Sequence, residues 1–191
     1  MCRRGREGQS SPTPFLLLAN IARLTISIGL SIKHPDWDIT TSTYEASNTQ
    51  DFDEIITNLT FLKNVDATRL HEGRITGGQR YDAIVFNAPR STLGGKWRRA
   101  TSILIDQTLA SVWNVLKPGG HIRFSSSRNM PGTTHLNRLL LDNPPGYVSQ
   151  PKASYLTDQT WFVPGYKPRT LTGRELGTQS LEWYIFTKAG G

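Results

Sequence analysis

Arg80-Tyr81-Asp82-Ala83-Ile84-Val85-Phe86-Asn87-Ala88-Pro89-Arg90 is the stretch from which the fold can be read. Its apolar core, Ala83 to Phe86, starts after an Asp and ends in a polar, proline-containing tip. A short unbroken apolar run bounded by turn residues predicts a strand buried on both faces, because a strand with one wet face would alternate. A polar turn at the carboxyl end of such a strand is where open α/β sheets place their ligands.

Working outward, the chain alternates between strand and helix signals. Upstream, Phe15 to Ala19 is a second short apolar run, entered through Pro14. Ile21 to Ile32 carries a helical pattern weakened by β-branched residues and Gly29, and His34-Pro35-Asp36 stops it. Trp37 to Tyr44 is threonine-rich and β-prone. Asp51 to Asn58 predicts a short helix and Leu59 to Leu62 a third strand. Downstream, Arg98 to Leu116 is the longest helical pattern, with Ile103, Ile105, Leu109, Val112, Trp113 and Leu116 on or near one face, ended by Lys117-Pro118-Gly119-Gly120. His121 to Ser126 predicts a strand, Thr134 to Leu141 a helix, Tyr147 to Leu156 a strand, and Leu181 to Thr187 a last strand after a long polar loop. Such alternation implies βαβ crossovers and a mostly parallel sheet. The last strand, after its irregular insertion, is expected to be antiparallel. The expected fold class is α/β, a Rossmann-like doubly wound sheet of seven strands. Residues 1–13 are expected to form a disordered basic arm and residues 14–191 a single domain.

Composition narrows the function classes. The 191 residues are 37% apolar and 19% charged, with 22 Lys+Arg against 15 Asp+Glu. The net charge of +7 is compatible with a polyanionic partner such as RNA, and equally with a merely basic surface. A single cysteine, Cys2, disfavours an internal disulfide or a thiolate metal site. The four histidines have no metal-ligand spacing, so no metal is expected. Phe15 to Ile32 is interrupted by Asn20, Arg23, Thr25 and Ser27, too polar for a bilayer core. No membrane association is expected. Pro12, Pro14 and the shortness of the following apolar block argue against a signal peptide. The phosphate-cradling Gly-x-x-x-x-Gly-Lys-Ser/Thr loop and the Gly-x-Ser-x-Gly elbow are both missing from the sequence.

The carboxyl ends of the first four strands lead to Asn20, Glu45, Asp66 and Asn87-Ala88-Pro89-Arg90. An acid after the second strand can accept two ribose hydroxyls, because a carboxylate has two acceptor oxygens. Alone, Glu45 reads first as a solvated loop acid, and Asp66 reads also as a helix N-cap; their order and spacing together favour the ligand-binding reading. A leucine, a lysine, Pro-Gly-Gly and then a strand, Leu116 to Phe124, resembles the entry to the fifth strand of class I S-adenosylmethionine-dependent methyltransferases. With Val65 to Leu70, Arg80 to Pro89, Gly94-Gly95-Lys96, and Pro164 to Thr170 with Gly173, the chain from about 15 to 175 resembles the Rossmann-like domain of eukaryotic large-subunit rRNA uridine-N3 methyltransferases.

That resemblance implies S-adenosylmethionine as cofactor and transfer of a methyl group to a ring nitrogen of a uridine-like RNA base or of a small nitrogen heterocycle. Asn20 and Ala22 would stand beside the methionine part of the cofactor. Glu45 would hold the ribose and Asp66 the adenine amino group, with Ala67 beside the ring. Asn87 and Pro89 would line the methyl-transfer pocket and Tyr166 would close over it. Arg90, Lys96, Trp161, Lys167 and Arg169 would contact substrate. In that family the first strand runs into a turn of the form Gly-Glu-Gly-Asn-Phe-Ser, where this chain has Asn20-Ile21-Ala22-Arg23-Leu24-Thr25. Arg90 also replaces a typical His. The loss of both glycines and the acid motivates a second reading, a binding or partner subunit without catalysis. A third is an enzyme using another ligand or reaction on this fold. A protein partner or a homodimer is compatible with either, and the resemblance implies a cytoplasmic location, nucleolar in a eukaryote.

Overall fold

The computed structural model describes residues 13–18, 24–42, 56–73, 76–91, 96–164 and 181–190. Strands β1 (Thr13–Leu18), β2 (Trp37–Ser42), β3 (Leu59–Leu62), β4 (Tyr81–Asn87) and β5 (Leu116–Ser127) pair in parallel. Strands β6 (Tyr147–Ser149), β7 (Ala153–Ser154) and β8 (Leu181–Lys188) follow, and β8 runs antiparallel to β5, β6 and β7. The sheet order is β3-β2-β1-β4-β5-β8-β6, with β7 on β8 beside β6. This is the mixed, mostly parallel α/β sheet with an antiparallel late strand that the sequence pattern implies, with eight strands rather than seven.

Helices cover both faces of the sheet. Along β1, Leu16 and Leu18 pack on one face with Ile84 of β4, Phe124 of β5 and Ile105, Leu109 and Val112 of helix α2 (Trp97–Val112). Leu136 of helix α3 (Thr133–Asp142) joins that layer. Phe15 and Leu17 point the other way, onto Val85, Trp183 and Ile26 and Leu30 of helix α1 (Leu24–Lys33). With both faces dry, β1 and β4 need apolar residues at every position, which is why they read as unbroken runs. Each fully buried leucine or isoleucine contributes roughly 1.5–3 kcal/mol. That burial holds α1 despite its weak propensity.

Boundaries move in physically instructive places. The helix expected over Arg98–Leu116 ends at Val112; residues 113–115 form a turn, in which Val115 O accepts from Tyr81 N at 2.8 Å, and Leu116 already begins β5. Ile103 is 46% exposed rather than on the core face. Between Leu116 and His121 the chain bulges out of register with β4. Gly119 takes φ 72° there, and a Cβ on Gly120 would stand 3.0 Å from Tyr81 O. Lys117 closes the bulge onto Asp82 at 2.7 Å.

The strand expected over Tyr147–Leu156 is one β track along β8 broken at its middle. Tyr147 pairs with Lys188 and Ala153 with Trp183, a slip of one residue around Pro151, which has no N–H to give to the ladder. The helix expected over Asp51–Asn58 lies mostly outside the described residues, and its end, Thr57–Asn58, is a turn. The basic arm also lies outside them.

Trp161 requires a correction. The sequence reading has it in a loop, touching substrate. It is 2% exposed and packs at the amino end, with Phe15, Trp37 and Trp183 at ring separations of 5.5, 5.2 and 6.5 Å. Arg123 lies 4.8 Å over its ring and pairs with Asp158 at 2.5 Å. The segment carrying Asp158, Trp161 and Val163 is fastened to the end of α1, where Lys33 Nζ donates to the carbonyls of Gln159 and Phe162. His34 Nε2 reaches Thr160 O at 2.9 Å. Trp161 is a keystone of the lower core.

Candidate functional site

From β1 the chain steps outward to β2 and β3 and then returns to β4 on the other side of β1. In open α/β sheets such a reversal is where ligands bind, at the carboxyl ends of the strands, because neighbouring connections diverge to opposite faces. Asn87 ends β4 there and is 3% exposed. Ala88 takes φ 48°, a left-handed conformation costly for a residue with a Cβ. Ser125 of β5 holds it: Ala88 N donates to Ser125 Oγ at 2.8 Å and to Ser125 O at 3.1 Å, while Ser125 Oγ donates to Asn87 Oδ1. Pro89 is buried and fixes the exit, and Arg90 is exposed. The turn is thus bent, dry on its inner side and pinned through one serine.

Beyond β3, Asp66 Oδ1 accepts from Thr68 N at 2.9 Å and Thr68 Oγ1 at 2.7 Å. This closes an Asx turn ahead of the single 3-10 turn Leu70–Glu72. Its second carboxylate oxygen has no hydrogen bond among the described residues. Ala67 beside it is 8% exposed and packs into the α2-side core.

The β4–α2 connection brings a cationic surface to the same edge. Ser91 N donates to Thr101 Oγ1 at 3.1 Å, which in turn donates to Trp97 O at 2.7 Å. The first turn of α2 is thereby tied to the β4 exit. Arg90 lies 5.9 Å and Arg98 5.0 Å from the Trp97 ring centre. Lys96 is exposed on the same groove. Arg98 and Arg99 continue into a second cleft of about 650 Å³, whose far wall carries Arg128 from the β5–α3 turn and Arg138 from α3. Beneath it, His135 Nε2 lies 2.6 Å from Asp106 Oδ1, and Arg138 Nη2 3.1 Å from His135 Nδ1. His135 thus stands between one carboxylate and one arginine, with a ring nitrogen toward each.

Of the site residues expected from sequence, Asp66, Ala67, Asn87, Pro89, Arg90 and Lys96 stand along this carboxyl edge. Asn20, Ala22, Glu45, Tyr166, Lys167 and Arg169 lie outside the described residues. Sequence reasoning missed Ser125, Trp97 and the arginines of the cleft. One signal was available: Trp97-Arg98-Arg99 opens a helix with no acid in its first turn. That is the reverse of what the helix dipole favours. Among the described residues no three His, Cys, Asp or Glu side chains gather as a metal site, and no helix is long and apolar enough to cross a membrane.

No protein-family model matches the chain, and no curated protein sequence matches it. Solved structures do. TrmN from Thermus thermophilus superposes with a TM-score of 0.60 at 15% identity, over 93% of this chain and 44% of its own. The 16S rRNA (adenine(1408)-N(1))-methyltransferase from Catenulisporales acidiphilia, as its W203A mutant, gives 0.55 at 13% identity over 94% and 86%. The glycopeptide N-methyltransferase MtfA, complexed with sinefungin, gives 0.54 at 13% over 93% and 81%. At these identities the likeness is one of fold. The chain spans less than half the length of TrmN.

Proposed function

We propose that this chain is an S-adenosylmethionine-dependent methyltransferase acting on a ring nitrogen of an RNA base, uridine-like in its edge, or of a small nitrogen heterocycle. The observation that carries the reading is the buried, strained Asn87-Ala88-Pro89 turn at the point where strand order reverses. Strain of this kind persists only where surrounding structure over-determines it, and it concentrates at sites of function. Solved structures sharing the fold include a 16S rRNA (adenine(1408)-N(1))-methyltransferase and a glycopeptide N-methyltransferase, the latter also as a complex with S-adenosylmethionine.

Asp66, with one carboxylate oxygen committed to Thr68, has the other to accept from an adenine amino group. Glu45 would hold the ribose hydroxyls, and Asn20 and Ala22 would lie beside the methionine part. Asn87 and Pro89 would wall the acceptor pocket, with Tyr166, Lys167 and Arg169 closing it. When bound, that cofactor supplies an electrophilic methyl on a sulfonium, and a ring nitrogen that accepts it gives its N–H proton to water. What the chain must add is placement of the acceptor, and a rigid turn provides placement. The resemblance to the large-subunit rRNA uridine-N3 methyltransferases favours uridine as the base.

Calorimetry with S-adenosylmethionine tests this reading. Wild type is expected to bind and Glu45→Ala to lose binding, and nucleoside mass spectrometry of an incubated oligoribonucleotide should show a methylated base. A wild-type protein that binds no cofactor sinks it. That outcome favours the second reading, a partner subunit on this fold, motivated by Asn20-Ile21-Ala22 where glycines are expected. Gain of cofactor affinity on restoring glycine at Asn20 and Ala22 would then identify the lesion.

A further inference from the structure

The two grooves of the α2 edge adjoin at Arg98 and Arg99, which line both halves of the channel they make together. One half presents an aromatic ring, Trp97, with arginines over it. The other presents four arginines from three segments, Arg98 and Arg99 on α2, Arg128 in the β5–α3 turn and Arg138 on α3. Among the described residues none of these four pairs with a carboxylate. The ion pairs of the described surface go to other cations, and Asp106, the acid under the cleft, is taken by His135. Structural arginines ordinarily find an acid, because four like charges around one cleft repel. Arg138 is moreover held in position through His135 and Asp106, which a purely solvating arginine does not need.

We infer that this channel is a nucleotide-binding site, with a base on the Trp97 face and phosphate oxygens between the Arg98–Arg99 and Arg128–Arg138 walls. A ring face tolerates any base, and guanidinium forks suit phosphate oxygens. The site serves a strand of RNA or a single nucleotide, since both offer the same chemistry. It rests on the proposed function only in that Arg90 joins it to the acceptor turn. Its own evidence is the ring and the four unpaired arginines.

Fluorescence anisotropy with a labelled single-stranded oligouridylate of about 12 nucleotides tests it, with UMP as competitor. Wild type is expected to bind with a log–log salt slope that falls by roughly 0.7 for each phosphate contact removed, so Arg99→Glu with Arg128→Glu should flatten it by about 1.4 or more. Both residues are exposed, and Arg99→Lys with Arg128→Lys should restore the slope. Trp97→Ala should weaken binding roughly 5- to 150-fold with the slope unchanged, because a stacked ring neutralises no phosphate. UMP that competes at concentrations near those of the oligonucleotide assigns the site to a mononucleotide. UMP that competes only at far higher concentrations assigns it to a strand. An unchanged slope in the double glutamate variant, or preserved affinity in Trp97→Ala, overturns the assignment. S-adenosylmethionine calorimetry on the same proteins separates the two readings. Loss of oligonucleotide binding with cofactor binding intact implicates this channel alone. A protein that binds the oligonucleotide but not the cofactor refutes the proposed function and leaves the channel standing.

Discussion

His121 accepts a hydrogen bond from Arg123 Nε through Nε2 at 3.0 Å, a bond that is lost when that nitrogen takes up a proton. Burial, followed by the Arg123 charge, pushes its pKa down to about 4, with Asp158 and Asp82 opposing weakly. The ordinary value, retained by the unfolded chain, is about 6.5. A folded value below the unfolded one means that the unfolded chain takes up the proton first. Stability is therefore whole above about pH 6.5 and drains away as pH falls toward 4. Each tenfold difference in proton affinity between the folded and unfolded chain is worth about 1.36 kcal/mol, so between about pH 7.5 and 4.5 this one residue should cost about 2.5 kcal/mol. In a chain of this size that is a fall in Tm of roughly 5–10 °C. Denaturant titrations of wild type and His121→Gln across that range measure it. Glutamine can still accept from Arg123 and does not titrate, so the variant should lose about 2.5 kcal/mol less than wild type. Contributions of other groups are common to both proteins and cancel in the difference. Parallel loss in the two proteins would refute the reasoning.

Two further outcomes follow from contacts at opposite ends of the sheet. A Cβ on Gly29 would stand 2.2 Å from Val163 Cγ1, so Gly29→Ala should destabilise by roughly 1–3 kcal/mol; adding Val163→Ala should recover part of the loss, a non-additivity that thermal melts of the three variants would reveal. Ser125→Ala leaves Asn87 Oδ1 without its hydroxyl donor and Ala88 N with only Ser125 O. It should cost roughly 1–3 kcal/mol and weaken S-adenosylmethionine binding in calorimetry, whereas a purely structural serine would lower Tm and leave cofactor affinity alone.

The central strands were legible because their physics is local. Leu16-Leu17-Leu18 and Ala83-Ile84-Val85 are buried on both faces, and no other element so short needs to be apolar throughout. The antiparallel position of β8 was legible from the irregular insertion before it. What stayed hidden depends on pairing between distant stretches. Gly29 looks like a helix defect in the sequence, and only the pressure of Val163 explains it. Trp161 looks like a loop aromatic, and its burial follows from strand order, which brings the starts of β1, β2 and β5 under it. Ser125 is one of three consecutive serines, and nothing in Ser125-Ser126-Ser127 marks which would face Asn87. Arg98–Arg99 and Arg128–Arg138 become one cleft only because α2 and α3 lie on the same face.

The two ends of the sheet spend their energy differently. At the amino end the largely covered Arg123 has its carboxylate, Trp161 packs edge to ring with Trp183, and α1 is tied to the segment beneath it by Lys33 and His34. At the carboxyl end the balance reverses. Ala88 holds a conformation that costs about 1–3 kcal/mol. Arginines sit at the positive end of α2, where acids would be worth roughly 0.3–1 kcal/mol apiece. Four guanidinium groups face one cleft without an acid of their own. Stability alone selects none of these features, and each is removable by a single substitution at an exposed or turn position. Their convergence at the carboxyl edge of the sheet is the physical argument for the anionic partner proposed there.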